Sequence, residues 1–336
     1  MMEQADKLLE VTDLKVHFTL PGGGWLRNNL ILRAVDGVSF SVAPGDTLGI
    51  VGESGCGKST LARALLRLVP VTSGSIKFKG QELTTLDDAA MRRIRRNAQI
   101  IFQDPLASLD PRMTVGNIIT EPMRALMPEL SRTQRHQRVL AMMQQVGLLP
   151  SHINRYAHEF SGGQAQRIGI ARALVVEPAL VVCDEPVSSL DVSIKSQVIN
   201  LLQNLQSERG LTYLFIAHDL TSVRHIAQRV VVLYLGRVME VANRDAIYRQ
   251  PRHPYTQMLI AAVPIPDPRV ARQRKVSVVR GELPSPLKPP SGCAFRTRCP
   301  WAIERCALER PELRMIGNSQ VACHRAEENL GFKLSG

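Results

Sequence analysis

The sequence predicts an α/β fold: a parallel sheet interrupted by a helical insertion and followed by a small cysteine-containing tail. Three observations predict it. Strand-sized apolar runs at Thr47–Val51, Ala179–Cys183 and Thr212–Ala217 have the near-continuous character of strands covered on both faces. From about residue 105 to 177 strand material nearly vanishes and helical periodicity takes over. Past residue 263 the composition changes, with seven prolines between Pro264 and Pro290 and four of the six cysteines in the last 44 residues. A chain of 336 residues with 44% hydrophobic and 21% charged residues can bury one large core plus an appendage. The expected division is 1–262 for the main domain and 263–336 for a proline-rich linker and cysteine-containing region.

In chain order, Leu14, Val16 and Phe18 alternate with Lys15, His17 and Thr19, a half-exposed strand ending at the turn Pro21-Gly-Gly-Gly24. A second strand follows over Val35–Val42. Thr47–Val51 then runs into a glycine-rich turn, and the Leu- and Ala-rich stretch Lys58–Val69 continues as a helix. Met91-Arg-Arg-Ile-Arg-Arg96 reads as a solvated helix end before the apolar run Ile100-Ile-Phe102. Inside the insertion, helical periods cover Val115–Leu126 and Ser131–Val146, and another helix opens after Gly163. Val230–Leu235 and Arg237–Val241 pivot on Gly236 as a hairpin.

The formal net charge of +12 admits nucleic acid, an anionic membrane surface or arginine-rich helix faces. Aromatics make up only 4% of the chain and do not interleave with the charge, which speaks against a single-stranded nucleic-acid platform. Apolar runs such as Val230–Leu235 are strand-sized, far short of a membrane span. The polar opening Met1–Lys7 has no apolar signal core behind it, so the expected location is the cytoplasm, with any membrane connection made through partners.

Gly52-Glu-Ser-Gly-Cys-Gly-Lys-Ser-Thr60 fits the phosphate-loop pattern of Gly, four residues, Gly, Lys and then Ser or Thr, lying between a strand and a helix. Such a match arises by chance on the order of once per hundred chains of this length. Gly52, Gly55 and Gly57 let the loop N–H groups, those of Ser54 and Cys56 among them, close around phosphate at a helix N-terminus. Lys58 supplies a point charge to the β- and γ-oxygens of ATP, Ser59 a hydroxyl ligand for Mg²⁺, and Thr60 an α-phosphate contact. Leu180-Val-Val-Cys-Asp-Glu-Pro186 is an apolar strand ending in two carboxylates, which places acids at the sheet's C-terminal edge. Asp184 suits Mg²⁺, and Glu185 suits the orientation of an attacking water.

A second string, Phe160-Ser-Gly-Gly-Gln-Ala-Gln-Arg167, is about as improbable as the first, and the two in this order resemble the pattern of ABC-type ATPases. The resemblance implies ATP and Mg²⁺ as cofactors and hydrolysis by two ATPase domains facing head to tail. Ser161, Gly162, Gly163 and Gln164 would then contact the γ-phosphate bound by the other subunit. Gln103, in Ile101-Phe-Gln-Asp-Pro105, resembles the Q-loop that contacts Mg²⁺ and the attacking water. Ser188-Ser-Leu-Asp191 looks like the D-loop, and His218 like the switch histidine at the γ-phosphate. Phe18 resembles the aromatic that stacks on adenine, with plain core packing as the alternative. The chain departs from the commonest pattern at Phe160, where Leu is usual, and at Ala165, where importers often carry Arg.

His253-Pro-Tyr-Thr256, Met258–Pro264, Gly281-Glu-Leu-Pro-Ser-Pro286 and Gly292-Cys-Ala-Phe295 resemble the C-terminal block of dipeptide and oligopeptide importer ATPases. That resemblance implies a peptide importer at the cytoplasmic face of the inner membrane. Its partners would be a second ATPase subunit (a paralogue, forming a heterodimer), two transmembrane permease subunits and a periplasmic substrate-binding protein. Cys293, Cys299, Cys306 and Cys323 are separated by five, six and sixteen residues, without the paired Cys-x-x-Cys knuckles of an ordinary zinc site. Four thiolates can bind a 4Fe-4S cluster. The importer group implies that cluster here, with zinc and unliganded thiols as the alternatives. Cys56 and Cys183 lie inside nucleotide motifs and read as small buried residues. The competing functions are a non-transport ABC ATPase acting on nucleic acid or ribosomes, and a small-molecule kinase. The first usually carries two ATPase cores or a long coiled coil, and the second leaves Ser161–Gln164 unexplained.

Overall fold

The computed structural model describes residues 7–21, 29–263 and 282–328. Most of the expected Pro21–Gly24 turn, most of the expected linker from Pro264 to Pro290 and nearly all of the polar opening segment lie outside the described residues. The elements run β1 (Leu9–Leu20), β2 (Leu30–Val42), β3 (Thr47–Val51), α1 (Lys58–Leu65), β4 (Ser73–Phe78), β5 (Gln81–Glu82), α2 (Asp88–Asn97) and β6 (Ala98–Ile101). Helices α3 (Val115–Leu126), α4 (Arg132–Gln145) and α5 (Gly162–Leu174) follow, with two short 3-10 turns before α5. Then come β7 (Leu180–Asp184), α6 (Val192–Arg209), β8 (Thr212–Ala217), α7 (Leu220–Ile226), β9 (Arg229–Tyr234), β10 (Arg237–Asn243), α8 (Arg244–Arg249) and α9 (Pro254–Ala261). The chain closes with α10 (Arg305–Leu308), β11 (Arg314–Ile316) and β12 (Ser319–Val321). Contacts divide it into two compact units.

The first unit is chiefly Phe78–Ala217 with Val42–Thr47. Its strands lie in the order β8-β7-β6, all parallel, with Ala98 opposite Leu180 and Leu180 opposite Thr212. Every residue of β7 and β8 is buried, as strands covered on both faces require. Between β6 and β7 the chain is helical. Helix α3 buries Val115, Ile118, Ile119 and Met123, and α4 buries Val139, Met142 and Met143, the spacing of one helical face. Ser131 and Gln134 close a capping box that starts α4. The arginine cluster at 92–96 sits on α2, whose N-terminus Asp87 caps by accepting from the Ala90 N–H, and the following strand begins at Ala98, two residues before the expected run.

The second unit holds Glu10–Ser41, Leu48–Lys77 and the chain from His218 onward. Here β2-β1-β4 form one sheet, and β11-β12-β10-β9-β3 lie side by side in another. Strand β3 runs parallel to β9, with Leu48 opposite Arg229 and Val51 opposite Val232. The β9–β10 hairpin turns through Leu235 and Gly236 at φ 45° and 73°, the pair of positive φ values that a tight hairpin asks for. The tail does not stand apart: β12 pairs antiparallel with β10, Glu240 opposite Val321, and β11 folds back on β12. Helix α1 stops at Leu65 rather than Val69, because Arg67 takes φ 48° and Pro70 follows.

Candidate functional site

The phosphate loop leaves β3 and enters α1 through Gly57 at φ 103°, a conformation that side chains resist. A Cβ on Gly57 would lie 2.0 Å from the Ala34 carbonyl oxygen, and one on Gly52 would lie 2.2 Å from that of Leu233. Glycine is required at both by close backbone approach. No side chain caps α1. Lys58 is 4% exposed, and its ammonium donates to the carbonyls of Gly52 at 2.7 Å and Glu53 at 3.1 Å. Ser59, Thr60 and Gly57 are half-buried, Ser54 and Gly55 exposed, and Cys56 buried. Phe18, on β1 in the same unit, is half-buried, so its ring is not enclosed in the core.

In the first unit, β7 delivers Asp184 at 2% exposure and Glu185 at 9%. Glu185 takes φ 48°, an uncommon left-handed conformation for a non-glycine residue. Its N–H donates to the Ile216 carbonyl at 3.0 Å. The Gln103 amide, leaving β6, donates to a Glu185 carboxylate oxygen at 3.4 Å. The fold thus joins two residues 82 positions apart. Asp191 is the exposed N-cap position of α6. His218 belongs to the second unit, exposed immediately before Asp219, which caps α7 by accepting from the Ser222 N–H at 2.7 Å.

Helix α5 opens two residues earlier than the sequence suggested, at Gly162, because Ser161 is its N-cap. The Ser161 hydroxyl accepts from the Gln164 N–H at 3.4 Å, while the Gln164 side-chain oxygen accepts from the Ser161 N–H at 3.2 Å. Both residues are exposed, and Gly162 and Gly163 half-buried. Phe160 is buried, packing edge-on against His152 with Arg155 over its ring. Ala165 is fully buried.

The four tail cysteines line one cavity with His253, Phe295 and Trp301. All are free thiols. Burial pushes Cys299 up to about 12 and Cys323 up to about 11, and raises Cys293 as well. Among the described residues, no group of three or more His, Cys, Asp or Glu side chains is placed to hold a metal ion. Without a bound group, burial favours the neutral thiol at Cys293, Cys299 and Cys323. Cys56 and Cys183 are buried, as expected.

The sequence missed what the tail does to the phosphate loop. Arg298, between Cys293 and Cys299, makes a two-pronged ion pair with Glu53, Nη1 to Oε2 at 2.5 Å and Nη2 to Oε1 at 2.9 Å. That hydrogen bond raises the guanidinium's hold on its proton. The Tyr255 hydroxyl accepts from the Glu53 N–H at 2.9 Å. Tyr255 stood inside a recognisable block of sequence, but nothing local linked it to a residue 202 positions away.

A family model described as ABC transporter matches residues 35–188, and one described as the C-terminal region of oligopeptide/dipeptide transporters matches residues 239–306. The oligopeptide transport ATP-binding protein OppF of Salmonella typhimurium is 55% identical over 97% of this chain and 98% of its own. Its counterpart of the same name from Escherichia coli is 55% identical over 95% and 96%. The chain belongs to the oligopeptide transport ATP-binding proteins of the ABC transporter family. YkfD of Bacillus subtilis, named as a putative oligopeptide transport ATP-binding protein, is 51% identical over 94% of this chain and 95% of its own. Among solved structures, the ATP-binding cassette MJ0796, a dimer in a post-hydrolysis state bound to ADP and phosphate, superposes with a TM-score of 0.63. It is 26% identical, covering 70% of this chain and 98% of that one. The protein cbiO1 from Clostridium perfringens, part of the ABC transporter complex cbiONQ, gives a TM-score of 0.62 at 26% identity, over 73% and 92%. This member of the ABC family therefore has the P-loop ABC ATPase fold and is an ABC-type ATPase. The nucleic-acid or ribosome reading finds no support in these relatives. No helix among the described residues is long and apolar enough to cross a membrane.

Proposed function

We propose that the chain is the ATP-hydrolysing subunit of a peptide importer, attached peripherally to the cytoplasmic face of the inner membrane. It works with a paralogous second ATPase, two permease subunits and a periplasmic substrate-binding protein. Residues 1–262 form the ATPase domain, with a helical subdomain at about 105–177, and residues 263–336 form the linker and the cysteine-containing importer region. The observation that carries hydrolysis is the Gln103–Glu185 contact: an amide holding a buried strand-end carboxylate in a strained backbone conformation, the kind of positioning that phosphoryl transfer needs.

In this reading the loop N–H groups from Gly52 to Thr60 and the Lys58 ammonium hold the phosphates, and Ser59, Asp184 and Gln103 hold Mg²⁺. Glu185 orients the attacking water while His218 meets the γ-phosphate. Ser161, Gly162, Gly163 and Gln164, with Asp191 beside them in role, serve the nucleotide of the partner ATPase. Phe18 stacks on adenine. Binding at two such half-sites closes the pair, and hydrolysis reopens it to drive the permease. Replacing Glu185 with Gln and purifying the chain with its neighbouring gene products in ATP tests this. A stable ATP-bound ATPase pair attached to membrane proteins is the expected result, and nucleic acid copurifying without a membrane partner overturns it.

The tail cysteines Cys293, Cys299, Cys306 and Cys323 are the ligands of a 4Fe-4S cluster in the same reading. Their convergence on one cavity supports it, because such a cluster takes one thiolate per iron around a cube rather than four about a single ion. When bound, the cluster supplies a cross-link among these four positions. Anaerobically purified protein would contain iron and acid-labile sulfide, and stoichiometric zinc without iron removes this assignment.

A further inference from the structure

Glu53 lies inside the phosphate loop, yet its polar groups are engaged from the C-terminal region. Its carboxylate takes both prongs of Arg298, whose side chain is 6% exposed. Its N–H donates to Tyr255, which is buried. Its carbonyl accepts from Lys58, the residue that carries the loop's charge. The one residue thus joins the tail to the resting position of the phosphate-binding ammonium. All of these residues belong to the second unit.

The anchor itself is packed among aromatic rings. Phe295, fully buried, packs against Tyr234 and Tyr255 with ring centroids 5.3 Å apart in each case, and Tyr234 meets Tyr255 at 4.8 Å. Arg298 lies over the face of Tyr234, 5.9 Å from its centroid. Arg298 is also one residue from Cys299 and five from Cys293, so the segment that lines the cysteine cavity is the segment that presents the guanidinium. A planar two-pronged pair transmits orientation as well as charge, which a single lysine contact cannot do.

We propose that Arg298 is a positioning residue for nucleotide binding, holding the phosphate loop through Glu53 in the geometry that receives ATP. The C-terminal region is then part of the ATP site's support, and its folding state is felt as ATP affinity. The inference rests on the reading of Gly52–Thr60 as the ATP phosphate loop.

The test uses the full-length chain, a fluorescent ATP analogue with Mg²⁺ for affinity, steady-state hydrolysis and thermal unfolding. Arg298→Gln and Glu53→Gln are each expected to weaken nucleotide binding roughly tenfold, the loss of a charge-assisted two-pronged pair. The loss should appear more in KM for ATP than in kcat. Arg298→Lys should recover only part of it, and the exchange Glu53→Arg with Arg298→Glu should recover more than either single reversal. A brace that merely holds the tail would lower the unfolding temperature and leave affinity within twofold of wild type in both Gln variants, which overturns the proposal. Wild-type protein that binds no ATP would sink the reading of the loop itself, and this inference with it.

Discussion

Helices α1 and α5 both begin at glycine-rich turns, and they begin in opposite ways. Gly57 starts α1 without a side-chain cap, and the Lys58 ammonium is buried against its own loop's carbonyls. Ser161 starts α5 with a reciprocal box to Gln164, both exposed. An uncapped helix N-terminus wrapped by backbone N–H groups is stabilised most by an anion that stays and fills it. A terminus that already satisfies itself can stand in solvent and meet an anion brought from outside. In the proposed function the first is a receptacle and the second a lid, halves of different sites.

The largest test of that contrast is Lys58→Ala. Removing the buried charge should cost the isolated chain roughly 2–5 kcal/mol of ATP binding, seen as loss of detectable binding by calorimetry. Ser161→Ala should leave affinity in the isolated chain unchanged and abolish ATP-dependent pairing with the partner ATPase in gel filtration. Equal loss of affinity in both variants would erase the distinction. Glu185→Gln should bind ATP as wild type and lose roughly 10²–10⁴-fold in kcat. Gly57→Ala combines a 2.0 Å clash with a positive φ, so thermal unfolding should show roughly 1–3 kcal/mol of destabilisation on the receptacle side alone.

A further effect concerns acid. Asp36 backs the same loop region through its N–H bond to the Gly236 carbonyl. Burial would raise its pKa, but the Arg237 bond and charge, with Arg310 and His17, hold it below the ordinary 3.8. A carboxylate lowered in this way stabilises the fold above its unfolded value and loses that contribution as pH falls through the folded one. Asp36→Asn should therefore cost about 1.5–3 kcal/mol at neutral pH, a difference that shrinks below pH 3.8 in urea titrations.

Much of this was legible along the chain. Strands β3 and β8 and helix α3 fall where their apolar patterns placed them, and Gly52–Gly57 lies between a strand and a helix while Asp184 ends a strand, as those patterns predicted. Those features depend on neighbours a few residues apart. The early stop of α1 at Leu65 came from a left-handed Arg67 that no periodicity signals. Phe160 and Ala165, noted only as departures from a pattern, proved to be buried packing positions. The tail, set apart by its prolines, instead contributes β11 and β12 to the sheet that carries β3.

The sequence by itself determined the α/β class, the phosphate loop, the paired acids and the importer-type tail, because each is written in short spacings that the local backbone obeys. Only the tertiary structure decided that Gln103 holds Glu185, that Tyr255 and Arg298 hold Glu53, and that four scattered cysteines share one cavity. Those contacts join residues tens to hundreds of positions apart, and strand pairing and core packing, which no local pattern encodes, bring them together.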